Sequence, residues 1–126
     1  MDTVTHFYLR RIDINGGIHR FGCVAMRKAR SLNGEKRIAI AVSVCNPSDK
    51  FIAKVACHKA LGRLKSESFT KIVPVSGDID KVLLEFDKRL VSKIDAARDI
   101  DWNATQAAYE GALKNLEPIA KRKAAR

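Results

Sequence analysis

The sequence predicts an α+β fold: an antiparallel meander of three to four strands, one helix after the third strand, and two C-terminal helices on one side. Three observations carry this expectation. Residues 5–45 alternate β-branched and aromatic residues with a period of two, interrupted at Asn15-Gly16-Gly17 and at Asn33-Gly34, where Asn and Gly accept the positive φ of tight hairpins. Residues 46–65 open with Asn and Pro and then place cations and apolar residues on separate sides of a helix. Residues 78–98 keep Ile79, Val82, Leu83, Phe86, Leu90, Ile94 and Ala97 at helical spacing. Residues 1–117 read as one α+β domain, followed by a basic tail at 118–126.

The first strand runs over residues 5–13 and the second over 18–28. A two-residue loop at Asn15-Gly16 or at Gly16-Gly17 gives the same face assignment. One face then carries Tyr8, Arg10, Ile12, His19, Phe21 and Cys23; the other carries Phe7, Leu9, Arg11, Ile18, Arg20, Val24 and Met26. Both faces mix arginines with apolar rings, a pairing that suits unstacked bases and phosphates. The third strand, Lys36 to Cys45, shows Ile38, Ile40, Val42 and Val44 on one side and Ala39, Ala41, Ser43 and Cys45 on the other. A strict two-residue turn at Asn33-Gly34 aligns the isoleucines with Tyr8 and Phe21, whereas one bulge aligns them with Phe7 and Leu9. Either face is therefore a candidate for the open one.

Asn46 is an N-cap candidate, Pro47 suits the first helical position, and Asp49 lies near the free N–H groups. In the helix that follows, Lys50, Lys54, His58 and Lys65 share one side, and Phe51, Ile52, Val55, Ala56 and Ala60 form an apolar surface. Residues 70–75 read as a short fourth strand, which Pro74 confines to an edge. A second helix starts after Ser76-Gly77-Asp78 and continues through Arg98. Asp101 caps a third, with Ala104, Ala107, Ala108, Gly111 and Ala112 as a small-residue surface and Trp102, Tyr109, Leu113 and Leu116 as anchors. Pro118 ends or kinks it.

The formal charge is +10, unevenly placed: residues 1–76 carry 14 Lys/Arg against 5 Asp/Glu, residues 77–117 carry 6 against 9, and residues 118–126 carry 4 against none. This asymmetry points to a polyanionic partner. Arg27, Lys28, Arg30, Lys36 and Arg37 flank a single turn. There is no apolar run long enough to span a membrane and no signal-peptide pattern after Met1. Cys23, Cys45 and Cys57 lack CxxC spacing and fit a reducing cytoplasm. No glycine-rich phosphate loop, His-Glu-x-x-His or nucleophile elbow is present. Asp78 and Asp80 are explained by capping, and His6, His19 and His58 fall on separate elements. The expectation is a non-enzymatic protein with no cofactor and no metal.

The segment Cys45-Asn-Pro-Ser-Asp49-Lys-Phe51, followed by Ala60-Leu-Gly62-Arg63-Leu64, resembles the strand-to-helix junction of small basic proteins encoded by bacteriophages. That resemblance covers about a sixth of the chain. It implies a single-stranded-DNA-binding accessory role in transcription or replication, in the cytoplasm of the host cell, with RNA polymerase or replication proteins as further partners. It transfers no site residues.

From the residues themselves, the expected nucleic-acid surface is Tyr8, Arg10, Arg11, Arg20, Phe21, Arg27, Lys28, Arg30, Lys36 and Arg37, extended by Lys50 and Lys54, with Tyr8 or Phe21 stacking on bases. A small sheet with two partly apolar faces also calls for a second copy as cover, hence a homo-oligomer. The alternative function is a protein-interaction module that binds a polymerase or inhibits a host enzyme.

Overall fold

In the computed structural model of the chain, which describes residues 3–45, 50–86, 88–97 and 99–116, four strands form one antiparallel sheet. They are β1 (Val4–Ile12), β2 (Ile18–Leu32), β3 (Glu35–Val44) and β4 (Thr70–Pro74), hydrogen-bonded in that order. Helix α1 (Ala53–Ser66) lies between β3 and β4 in sequence, and α2 (Ile79–Leu84), α3 (Lys88–Ala96) and α4 (Trp102–Leu116) follow. The fold is the expected α+β meander, with β4 pairing only Arg37 to Ala41 of β3 as an edge strand should.

Alternation along the strands sorts the core into two layers. Phe7, Leu9, Val24, Met26, Ile38, Ile40, Val42 and Val73 face α2, α3 and α4, where Leu83, Phe86, Leu90, Ile94, Tyr109 and Leu116 cover them. On the opposite face Cys23, Ala25, Ala39 and Ala41 meet Ala56, Ala60 and Leu64 of α1. Those three helix residues recur every fourth position, so they form one stripe. Small side chains on both partners bring α1 close to β2 and β3. Both faces of β2 and β3 are thus covered from within the chain.

The β1–β2 connection differs from the expected two-residue turn. Asp13 and Gly17 close a three-residue loop, with Asp13 N–H donating to Gly17 O at 2.8 Å and Gly16 in the left-handed region at φ 81. The Asp13 carboxylate directs this choice, since it accepts from the backbone N–H groups of Asn15 at 2.9 Å and Gly17 at 2.7 Å and pairs with His19 Nε2. The hydrogen bond from His19, followed by that from the Gly17 N–H, holds the Asp13 carboxyl below its ordinary range.

The longer loop shifts the register, and a bulge at Phe21 restores it: Arg10 pairs with Arg20, while Leu9 pairs with Gly22. Arg20 consequently joins Tyr8 and Arg10, His19 pairs with Arg11, and Phe21 turns into the helix-covered core. Gly22 permits this arrangement. A Cβ there would stand 2.9 Å from both Leu9 Cδ1 and the Ser43 carbonyl oxygen.

At the β2–β3 turn Asn33 (φ 52) and Gly34 (φ 79) adopt the primed-turn conformation. The register slips once between Ala29 and Leu32, so the bulged alternative holds and the isoleucines of β3 side with Phe7 and Leu9. Helix α1 begins at Ala53, after extended Ile52 and with no side-chain cap. Lys50 and Phe51 therefore precede the helix instead of riding on it, and residues 46–49, where the cap and first turn were expected, lie outside the described residues. Ile52 and Val55, expected on the apolar surface, are exposed.

The expected second helix is two helices, because Glu85 and Phe86 close α2 with N–H bonds to Val82 and Leu83, three residues back, at 3.2 Å each. All seven of its expected apolar positions are nonetheless buried. Asp101 caps α4 as expected, accepting from Ala104 N–H at 3.0 Å. Of the small-residue surface on α4, Ala112 is buried, whereas Ala107 and Gly111 are exposed. Residues 118–126 lie outside the described residues.

Candidate nucleic-acid interface

The structure divides the expected surface residues into two groups at opposite ends of the sheet. The first is the end of the β2–β3 hairpin. β1 joins β2 at Arg27, and β4 leaves β3 at Arg37, so beyond these residues the two strands continue as a ribbon that no other strand among the described residues flanks. The Val75 N–H bond to the Lys36 carbonyl at 3.1 Å is the last cross-link to the β4 side among the described residues. At about 3.3 Å per residue the ribbon extends on the order of 10 Å. Arg27 and Arg37 point to the α1 side of the sheet, Lys28 and Lys36 to the α4 side, and Arg30 stands at the bulge. The ribbon is therefore basic on both faces, with Glu35 the one acid between residues 27 and 37.

Arg37 Nε donates to the Arg30 carbonyl at 2.9 Å across the slipped register, which fixes the ribbon where its ladder is interrupted. Arg27 makes a long ion pair to Glu67 at 3.7 Å. Because the Glu67 side chain is exposed, this pair contributes little and does not withdraw Arg27 from a ligand. At the ribbon's base, on the α4 side, a groove of about 230 Å³ has an apolar floor of Ile38, Val75, Leu113 and Leu116 and a basic rim of Lys28 and Lys36.

The second group surrounds Tyr8. Helix α1 sits over β2 and β3 and leaves the same face of β1 open. The Tyr8 ring meets His6 edge-on at 5.6 Å and Phe51 at 6.2 Å, and the Arg20 guanidinium lies over it at 4.5 Å. Burial raises the phenol above its ordinary pKa, with a smaller opposing effect from Arg20. Arg10 stands directly across from Arg20, and its Nε is buried with no hydrogen-bond partner among the described residues. Neither arginine has a carboxylate partner among the described residues, so a like-charged cross-strand pair stands ready for an anion. Lys54, Cys57, His58 and Leu61 of α1 complete a shallow groove of about 640 Å³ beside Tyr8.

Three expected residues fall outside these groups. Phe21 is 5% exposed and packed in the core, so its ring has no face for a base. Arg11 pairs with His19 and bridges to Ile100 on the opposite side of β1 from Tyr8. Lys50 lines a separate groove with Lys59 and Lys93.

His6 and His58 border the Tyr8 groove, a role that sequence reasoning missed. Their placement depends on how α1 crosses the sheet, and local pattern does not encode that. Cys23 is buried against α1, and burial and the neighbouring Cys57 thiol push its pKa up, which keeps it protonated and unreactive. Among the described residues no helix is long and apolar enough to cross a membrane, and no three His, Cys, Asp or Glu side chains cluster as metal ligands would. No protein-family model, no curated protein and no solved structure matches the chain.

Proposed function

We propose that the protein is a non-enzymatic, largely sequence-independent single-stranded-DNA-binding protein whose principal contact is the basic β2–β3 hairpin. The observation that supports this reading most is the gathering of five cations at one hairpin, with Arg27 and Arg37 at the last residues paired to β1 and β4 and Lys28, Arg30 and Lys36 on the ribbon that runs past them. A flexible strand can follow both faces and set an unpaired base into the apolar-floored groove at the ribbon's base. The Tyr8, Arg10 and Arg20 group adds a ring and two cations at the far end of the sheet, within reach of the same strand. The resemblance of the strand-to-helix junction to phage-encoded accessory proteins agrees with a role beside transcription or replication, with a polymerase or replication protein as further partner.

The test is a titration of labelled single-stranded and duplex oligonucleotides at two salt concentrations. Single strands are expected to bind more tightly, with affinity falling steeply as salt rises, at a slope of about −0.7 per neutralised phosphate. Tighter binding of duplex would reassign the ligand. A specific protein partner captured with no affinity for any oligonucleotide would favour the interaction-module alternative.

A further inference from the structure

On the flank of α1 away from Tyr8, the turn between α1 and β4 carries an aromatic side chain that the fold does not bury. Phe69 is 36% exposed and has φ 45, a left-handed conformation uncommon for a bulky residue. Glu67, at φ 60, already ends the helix, and both its N–H and that of Ser68 reach the Arg63 carbonyl. The helix terminus therefore needs no second left-handed residue.

The Arg63 guanidinium lies over the Phe69 ring, 4.8 Å from its centroid. The same side chain is anchored, since its Nη1 donates to the Val42 carbonyl at 2.7 Å, just past the point where β4 stops pairing with β3. Across an open groove of about 630 Å³, α3 presents Lys88, Arg89 and Lys93, and no described acid lines the groove. A held arginine, an exposed ring and the facing cations Lys88 and Lys93 make a site for a planar group attached to anions.

We infer that this groove is a second single-strand contact, taking one unpaired base against Phe69 and Arg63 and the flanking phosphates on Lys88 and Lys93. The inference rests on the single-strand reading proposed above and extends it to the α3 side, where none of the sequence-expected site residues lies. Charge complementarity selects the occupant, because a chain of phosphates matches the cations and the base supplies the ring for stacking.

The test uses the full chain with two labelled probes of equal length, an oligothymidylate and an abasic oligomer with the same phosphates. Phe69→Leu should weaken the oligothymidylate roughly tenfold, within the range for one stacked base, and leave the abasic probe unchanged. Phe69→Asn, whose residue type tolerates positive φ, should give the same loss from a chain with less backbone strain. Replacing Lys88 and Lys93 together by Ser should weaken both probes and reduce the salt slope by about 1.4. Phe69 variants that fold and bind oligothymidylate as tightly as the parent overturn the inference while leaving the hairpin reading intact. A parent protein that binds neither probe removes the reading beneath it.

Discussion

Replacing Arg27, Lys28 and Arg30 together by serine is expected to cut single-strand affinity about 100-fold at roughly 0.1 M salt, with the loss shrinking to little near 1 M. The arithmetic is direct. Three phosphate contacts at about 0.7 each lower the slope of log affinity against log salt by roughly 2, and a tenfold dilution of salt then separates variant from parent by about two decades. The substitutions fall on the exposed and half-buried part of the ribbon, so the core layers keep their packing. Loss of the 3.7 Å pair with Glu67 costs little in stability. Coincident thermal unfolding of variant and parent checks that point. Equal affinity of the two proteins at every salt concentration would move the contact away from the hairpin.

The second large effect concerns stability. Tyr109 of α4 is 1% exposed, meets Phe7 edge-on at 5.9 Å and donates its hydroxyl hydrogen to the Val75 carbonyl at 3.2 Å. It therefore ties α4 to β1 and to the segment that leaves β4. Tyr109→Ala is expected to destabilise the protein by about 3–5 kcal/mol, the range for removing a large buried ring, whereas Tyr109→Phe should cost about 1 kcal/mol for the hydrogen bond.

Burial pushes the Tyr109 phenol from 10.0 up to about 12. The folded protein thus favours the protonated form, and the stabilisation it contributes is complete below pH 10. It is lost as pH rises through about 12, because the unfolded chain releases the proton first. Denaturant midpoints measured from neutral to strongly alkaline pH should fall less steeply in Tyr109→Phe than in the parent. Parallel curves would show that Tyr109 is not the group responsible.

The strands, the Asn33-Gly34 turn, the edge position of β4 and the buried positions of α2 and α3 are legible in the sequence because local periodicity and turn chemistry determine them. The faces near the first hairpin are not. There the Asp13 carboxylate selects a three-residue loop, and the space left by Gly22 beneath Leu9 accommodates the bulge that sends Phe21 inward and Arg20 outward. Strand alternation alone assigns both residues to the wrong side.

Strand alternation leaves the cover on the alanine face of β3 undetermined, since small side chains accept a helix, a base or another subunit equally well. Ala56, Ala60 and Leu64 of α1 supply it. The hairpin half of the candidate interface is readable as charge flanking one turn. The Arg63–Phe69 groove is not, because Lys88, Arg89 and Lys93 read as the solvated side of a packing helix until α3 is placed opposite the end of α1.

The hairpin contact is tested most directly by titrating isotope-labelled protein with an unlabelled oligothymidylate and following the backbone amide resonances. The expected result is a set of large shifts at residues 27–37, with smaller ones around Tyr8 and Arg20, while core amides such as those of Ile40 and Val42 stay in place. Saturable binding that leaves residues 27–37 unshifted would contradict the hairpin as the contact surface.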